Sequence, residues 1–397
     1  GLSRRTGIAA AVATPARRAI AETLLTDVAP AAQLFVTNEL AAVQRAPTQL
    51  PKLTGSMPAL YLFSSGSTGL PKIVPHTHAE VLADGDRTSA AWDLQADDVV
   101  INILPPNFAM GFLMGAIDTM YRGATTLYWS DPLPLALARR KLLETMVAHR
   151  VTMMGAVPAM YEIIAAQKGD FELSLRLAFS GGAALKRPVF ESVRHQFGIA
   201  LRQAYGSTEA IFVSQNDATD PDATWASVGQ PAGDAEVRIA PMDTPFGQGA
   251  GELLIRSSSL MQGYLDEPAA NAGAFDNGWF RSGDLASLDE EGRIYIKGRS
   301  KLLIEVSGYK VDPIEVEDVL GGHPAVAELA VAAVPDPRTG NRLRAYVVKK
   351  DDVSEHEIIR YARGRLSSQK VPSEITFVDA LPRSPTGKLL RTKLAGL

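Results

Sequence analysis

The chain has 397 residues, 46% of them hydrophobic and 21% charged, with a formal net charge of −4. That size allows two or three ordinary globular domains, and the mild negative balance leaves no basic footprint for nucleic acid. Cysteine is absent, which removes disulfides, thiolate nucleophiles and cysteine-based metal sites and fits a reducing, cytoplasmic setting.

No apolar run reaches the ~18 residues of a membrane-spanning helix. Pro15, Arg17 and Arg18 interrupt the Ala-rich front, unlike the apolar centre of a leader peptide. Residues 16–44 read as helix, short strand (AQLFVT) and helix, with Asn38 as a cap. Pro47, Pro51 and Pro58 mark residues 45–58 as a loop. From 59 to 215, the apolar runs VVINIL (99–104), ATTLYW (124–129), VTMMGAV (151–157) and LRLAFSGG (175–182) alternate with helical stretches at 137–150 and 188–198. Such alternation predicts an α/β domain of helix-covered parallel sheets.

Past residue 225 the texture becomes short alternating strands (EVRIA, GELLIRS, GRIYIKGR, KLLIEVSGYKV) between Gly, Asp and Pro turns, the pattern of an antiparallel, barrel-like or distorted sheet. From 312 the chain reads as a helix capped by Asp312 with Pro313 in its first turn. Strands ELAVAAVP and RLRAYVVKK, a helix over 354–366 and a strand EITFVD complete a small α+β domain. The expected division is 1–299 and 300–397.

The stretch SSGSTGLPK (64–72) follows the apolar run Ala59–Phe63. In a Walker A loop the last glycine is followed at once by Lys and then Ser or Thr, and a helix begins there. Here Leu70 and Pro71 intervene, and Pro71 disfavours a helical start. What remains is a hydroxyl-rich loop able to wrap a polyphosphate with side chains and backbone N–H groups, or a plain Ser/Gly surface turn. His76 and His78 share one strand face, so a metal pair and a structural role both stand.

Further segments follow in order: SGGA, QAYGSTEA, GELLIR, WFRSGDLA, GRIYIKGRSK and PRSPTGKLLR. Over residues 59–391 this succession resembles the acyl-adenylate-forming superfamily of acyl- and aryl-CoA synthetases, peptide-synthetase adenylation domains and luciferases. The resemblance implies ATP and Mg²⁺ as reactants, a small carboxylic acid as substrate, and a pantetheine thiol as acceptor, CoA or a carrier protein. It implies that Ser64, Ser65, Gly66, Ser67, Thr68, Gly69 and Lys72 form the loop over the β- and γ-phosphates. Gly181, Gly182 and Ala183 resemble the backbone stretch beside adenine, and Tyr205, followed by Gly206 and Ser207, the ring lying on it. Thr208 resembles the α-phosphate contact and Glu209 the Mg²⁺ carboxylate. Asp284 resembles the ribose carboxylate, Ile296 a packing partner of the base, Arg299 the ribose–phosphate arginine, and Lys388 the catalytic lysine of the C-terminal domain, which the resemblance implies is mobile.

The acid pocket implied by the resemblance takes Asn107, Phe108, Gly111, Met154 and Ile211. PNF (106–108) resembles the HNF or HNY of aryl-acid-activating members, with Pro106 replacing histidine. The aspartate that holds an α-ammonium in amino-acid-activating members is missing there. An aromatic or compact apolar acid is therefore expected. Ser307, Gly308 and Tyr309 resemble the lining of the thiol tunnel. The family's hinge is usually Asp or Lys, residues that tolerate exposure in both domain arrangements; this chain has Leu302. Residues 1–58 are fewer than family members carry before the loop. Either the front is missing from this chain or the large domain is naturally shortened, and uncovered apolar strands would then be covered by a homodimer or another partner. A nucleotide-binding relative without catalysis is the reading from another class.

Overall fold

The computed structural model describes residues 10–13, 18–28, 33–36, 52–64, 72–106, 108–336, 340–383 and 389–396. Ser65, Gly66, Ser67, Thr68, Gly69, Asn107 and Lys388, and the second N-terminal helix expected near 38–44, lie outside the described residues.

A seven-stranded sheet forms the centre. Its order is Gln230–Pro231, Ile211–Gln215, Arg202–Ser207, Leu177–Ser180, Met153–Ala156, Val99–Asn102 and Thr125–Tyr128. The last five strands pair in parallel and the first two add antiparallel. Strand residues alternate faces, and the two cores divide accordingly. Ile101, Met154 and Ala178 pack with Leu142, Leu143, Tyr161 and Phe190 under the helices Leu135–Ala148, Pro158–Ala165 and Arg187–Phe197. Their neighbours Val100, Met153 and Phe179 turn the other way, to Trp92, Leu104 and Met114. There the Trp92 and Phe179 rings lie 4.7 Å apart, a contact worth about 0.5–1.5 kcal/mol beyond the area it buries.

The hairpin Pro58–Ser64/Lys72–Thr77 closes with Ser64 opposite Lys72, so the glycine loop joins two antiparallel strands rather than a strand and a helix. Thr77 then caps the helix His78–Ala91 in a reciprocal capping box with Glu80. Tyr61 and Phe63 on the first strand are exposed. The strands Ala10–Ala13 and Gln33–Val36 pair in parallel around the helix Arg18–Val28.

A five-stranded antiparallel sheet follows, built on Glu236–Pro241, Gly251–Arg256, Trp279–Leu288, Phe275–Asp276 and Ile294–Arg299. Its register slips at Glu252/Leu254 and at Leu285/Ala286, which supplies the distortion expected from the sequence. Beyond a short 3₁₀ turn at Ser300–Leu302, where Leu302 is half-buried, comes the hairpin Ile304–Val306/Tyr309–Val311. The helix Pro313–Gly321 starts on Asp312, whose side chain accepts from the Ile314 N–H. Burial pushes the Asp312 carboxyl up to about 6. A three-stranded sheet (Val326–Asp336, Gly340–Lys349, Glu374–Phe377) and the helix Glu355–Arg363 complete a unit with its own core of Val316, Leu320, Val331, Val347 and Ile358. The fold class is the one the sequence predicts: a large helix-covered α/β region, a distorted antiparallel sheet and a small α+β unit.

Candidate active site

The carboxyl ends of the parallel strands set the site, as in other open α/β sheets. From Val99–Asn102 the chain runs first to one neighbouring strand and then to the other, and the loop leaving that switch point carries residues 103–111. A Cβ on Gly111 would sit 2.6 Å from the Pro105 carbonyl oxygen, so only glycine lets this loop fold on itself. Gly181 and Gly182 follow Leu177–Ser180 and face the same loop: their Cβ positions lie 3.2 Å from Met110 Sδ and 3.2 Å from Phe108 Cζ. Just beyond Gly111 a six-residue π-turn, Leu113–Asp118, interrupts the helix. Met154 does not join this group, contrary to expectation. It points to the opposite side of the sheet, 2% exposed, among Leu142, Leu143 and Tyr161.

The turn Ser207–Ile211 is the tightest part of the site. Ile211 has φ +56°, a left-handed backbone that a β-branched residue rarely adopts. A Cβ on Gly206 would lie 2.1 Å from the Ile211 carbonyl oxygen. The Thr208, Glu209 and Ala210 carbonyls and the Ala210 N–H are all held. His76 Nε2 lies 2.8 Å from the Thr208 carbonyl oxygen, and the Met261 N–H donates to that of Glu209 at 2.9 Å. Ser259 Oγ donates to Ala210 O at 3.0 Å, and the Ala210 N–H donates to Ser207 Oγ at 3.1 Å. Asp84 accepts from the Phe212 N–H at 3.0 Å while Arg87 Nε donates to the Phe212 carbonyl at 3.1 Å.

Burial lowers the His76 pKa, so the ring is neutral. A carbonyl only accepts, so Nε2 carries the proton. Nδ1 then faces Glu80 Oε2 at 3.7 Å. His76 is thus spent on the turn and His78 opens the following helix. Beneath them Arg87 bonds Asp84 (3.2 Å), Asp234 (2.7 Å) and the Ser259 hydroxyl. Burial pushes Asp84 up to about 7 and Asp118, fully buried beside it, well above the ordinary carboxylate range.

Tyr205, Asp284 and Arg299 form a second constellation. Asp284 lies in Trp279–Leu288 opposite Arg299 of the next strand. It accepts from Tyr205 Oη at 2.6 Å and from Arg299 Nε at 2.7 Å, one bond per oxygen. A carboxylate has about four acceptor positions, so both oxygens keep capacity for a diol. Burial and Asp284 together push the Tyr205 hydroxyl pKa well up, which keeps it a donor. Burial alone would lower the Arg299 pKa, but the Asp284 charge carries it above its ordinary value. Ile296, half-buried on the same strand as Arg299, packs with Tyr205 against the core of Leu253, Ile255 and Phe280.

Glu209 is half-buried and its Oε1 accepts from Tyr264 Oη at 2.9 Å. Among the described residues no group of three or more His, Cys, Asp or Glu side chains could hold a metal. A single free carboxylate oxygen nevertheless fits Mg²⁺, which is usually held by one or two carboxylates plus substrate phosphates and waters. Tyr264 lies in MQGYLDEP, a stretch in which no motif singles it out. Ser307, Gly308 and Tyr309 are exposed at the tip of their hairpin, and Ser307 (φ +52°) and Gly308 (φ +81°) share the left-handed turn. From that hairpin Lys310 Nζ reaches the Asp243 carbonyl at 3.0 Å.

A family model described as AMP-binding enzyme matches residues 4–265, and one described as AMP-binding enzyme C-terminal domain matches residues 315–388. The long-chain-fatty-acid–CoA ligase FadD13 of Mycobacterium tuberculosis is 34% identical over 343 residues, covering 84% of this chain and 66% of that relative. Feruloyl-CoA synthase of an Amycolatopsis species is 33% identical over 363 residues, covering 89% of this chain and 72% of the relative. The chain thus spans just under two thirds of the length of the first of these. The solved o-succinylbenzoate–CoA synthetase MenE of Bacillus subtilis, in complex with its acyl-adenylate intermediate, superposes with a TM-score of 0.86 at 26% identity, over 98% of this chain and 78% of that one. The same synthetase is known in complex with ATP and a magnesium ion. With matching models over both its larger part and its C-terminal unit, the chain belongs to the AMP-binding enzyme family.

Proposed function

We propose that this chain activates a small carboxylic acid with ATP, forming an acyl-adenylate and pyrophosphate, and then passes the acyl group to the thiol of CoA with release of AMP. Two observations support the reading: Asp284 is doubly held by Tyr205 and Arg299 with spare acceptor capacity, and Glu209 and Lys72 share Tyr264 as a partner. In this reading Asp284 takes the ribose hydroxyls, Tyr205 and Ile296 flank the adenine with Gly181–Ala183, and Arg299 lies by the ribose and phosphate. Thr208 contacts the α-phosphate, and the loop 64–72 closes over the outer phosphates.

The reacting carboxylate oxygen bonds to the α-phosphorus as the bond from that phosphorus to the bridging oxygen breaks, and pyrophosphate takes the electron pair. Negative charge grows on both phosphoryl fragments, so fixed cations aimed at them carry the catalysis. Lys72, and Lys388 brought in by the C-terminal unit, supply those cations. Glu209 would hold Mg²⁺, which when bound neutralises phosphate charge and aligns the leaving group. In the second half-reaction the thiolate attacks the acyl carbon and AMP departs, with Ser307–Tyr309 along the thiol's approach.

Phe108, Met110, Gly111 and Gly182 supply the apolar wall that favours an aromatic or compact apolar acid. The naming of relatives as CoA ligases favours CoA over a carrier protein as acceptor. The test is AMP release across a panel of benzoates, cinnamates, alicyclic, fatty and amino acids, with ATP and either CoA or a pantetheinylated carrier protein. CoA-dependent release with an aromatic or compact acid is expected. Release only with the carrier moves the acceptor, and ATP binding without release under any condition favours a non-catalytic binding protein.

A further inference from the structure

Lys72 and Glu209 meet at one side chain to which the proposed chemistry gives no part. The Tyr264 ring carries Lys72 Nζ 4.4 Å from its centroid, and its hydroxyl donates to Glu209 Oε1 at 2.9 Å. The backbone of Tyr264 is itself held on both sides by one amide: its N–H donates to Asn271 Oδ1 at 2.7 Å, and its carbonyl accepts from Asn271 Nδ2 at 2.8 Å. Flanking residues tie the same strap to the two parts it joins. The Met261 N–H bonds the Glu209 carbonyl at 2.9 Å, Gln262 Nε2 bonds Glu80 Oε1 at 3.0 Å, and the Leu265 N–H bonds the Ile73 carbonyl at 3.0 Å. Residues 261–265 therefore cross-link the strand that leaves the glycine loop to the turn that carries Glu209.

We propose that Tyr264 is the positioning residue that sets Glu209 and Lys72 relative to each other, its hydroxyl fixing one carboxylate oxygen so that the other is presented to a divalent cation. The inference rests on the reading of Glu209 as the cation's carboxylate. The Glu209 carboxylate only accepts, so in this contact the Tyr264 hydroxyl is the donor. The ring meanwhile offers its electron-rich face to the Lys72 ammonium, as cation–π contacts require.

Two variants separate the two contacts. Tyr264→Phe keeps the ring under Lys72 and removes only the hydroxyl; Tyr264→Leu removes both. Mn²⁺·ATP binding by the purified chain is read by water-proton relaxation, and Mg²⁺ dependence by pyrophosphate exchange. Losing the partner of a ligating group costs metal affinity by about 10–100-fold. Tyr264→Phe is expected to weaken Mn²⁺ binding to the ATP complex by about that factor and to raise the Mg²⁺ needed for half-maximal exchange. Its exchange rate at saturating Mg²⁺ stays near that of the unaltered chain. Tyr264→Leu is expected to weaken ATP binding as well, at any Mg²⁺ concentration.

A folded Tyr264→Phe protein with unchanged Mn²⁺ binding and unchanged Mg²⁺ dependence overturns the proposal, as does a fall in exchange that saturating Mg²⁺ leaves unrelieved. If the unaltered chain exchanges no pyrophosphate with any acid while Tyr264→Phe still loses Mn²⁺ affinity, the positioning role stands and the ligase reading fails. No Mn²⁺·ATP binding by the unaltered chain sinks both.

Discussion

Ile211 and Ser307 share the same left-handed backbone, at φ +56° and +52°, and differ in everything around it. Ile211 is 6% exposed, and its turn is gripped by His76, Asp84, Arg87, Ser259 and Met261. Ser307 stands exposed at a two-residue hairpin tip beside Gly308, where such a turn matches the twist of the paired strands. Strain persists in the first case because the surroundings over-determine it. In the second the strain is local to the hairpin. A turn proposed to hold Thr208 at the α-phosphate and Glu209 at a divalent cation, at fixed geometry, belongs with rigid support. A segment proposed to meet a thiol only in the second half-reaction belongs on an exposed tip that can move with its unit.

The comparison breaks first at Gly206. With its Cβ directed 2.1 Å from the Ile211 carbonyl oxygen, Gly206→Ala must displace the turn. Acid-dependent pyrophosphate exchange is expected to fall by ~10² or more, the scale on which misplaced reacting groups lose rate. An exchange rate within a few-fold of the unaltered chain would show that the turn is not held as tightly as its contacts imply.

Next, Ile211→Gly and Ser307→Gly should differ in sign. Both relieve a left-handed residue, a gain of about 1–2 kcal/mol. Ile211→Gly also empties a buried site, at a cost of about 2–5 kcal/mol, so it is expected to destabilise. Ser307→Gly loses no packing and gains under about 1 kcal/mol once the freer unfolded chain is counted. Denaturant unfolding of both variants checks the pair; shifts of the same sign would undo the distinction.

The smallest effect concerns the acidic pair under the gripped turn. Asp118 is fully buried with its pKa raised well above 3.8, by burial first and then by Asp84. A carboxyl raised in the folded state contributes its stability below the unfolded pKa and loses it as pH rises towards the folded one. The unaltered chain is therefore expected to lose stability from this group as pH climbs from about 4. Asp118→Asn keeps the shape without the titrating proton. Its melting temperature should match that of the unaltered chain near pH 4 and exceed it increasingly towards pH 8. A difference that does not change with pH would contradict the buried neutral carboxyl.

The larger elements were legible because apolar runs with turn punctuation report strands and helices directly. The parallel strands Val99–Asn102 and Met153–Ala156 both lie inside the runs read from the sequence. The glycine loop was separable from a Walker A loop by Leu70 and Pro71, which stand between Gly69 and Lys72, and Lys72 does begin a strand. What could not be read was facing. Met153–Ala156 is buried throughout, so no polar alternation marks which side carries Met154. Nothing in the residue types of LMGAID signals the π-turn at Leu113–Asp118. Tyr264 escaped because its partner Glu209 lies 55 residues away and only the fold joins them. The grip on Ile211 is likewise made by side chains from the helix His78–Ala91, far off in sequence.

The measurement closest to the central claim is exchange of labelled pyrophosphate into ATP by the chain with and without a carboxylic acid, run beside Lys388→Ala. The account predicts exchange that requires both acid and Mg²⁺, and that falls by ~10²–10³ in the variant, as when one preorganised electrostatic donor is lost. Exchange unaffected by Lys388→Ala, or ATP binding with no acid-dependent exchange at all, would contradict it.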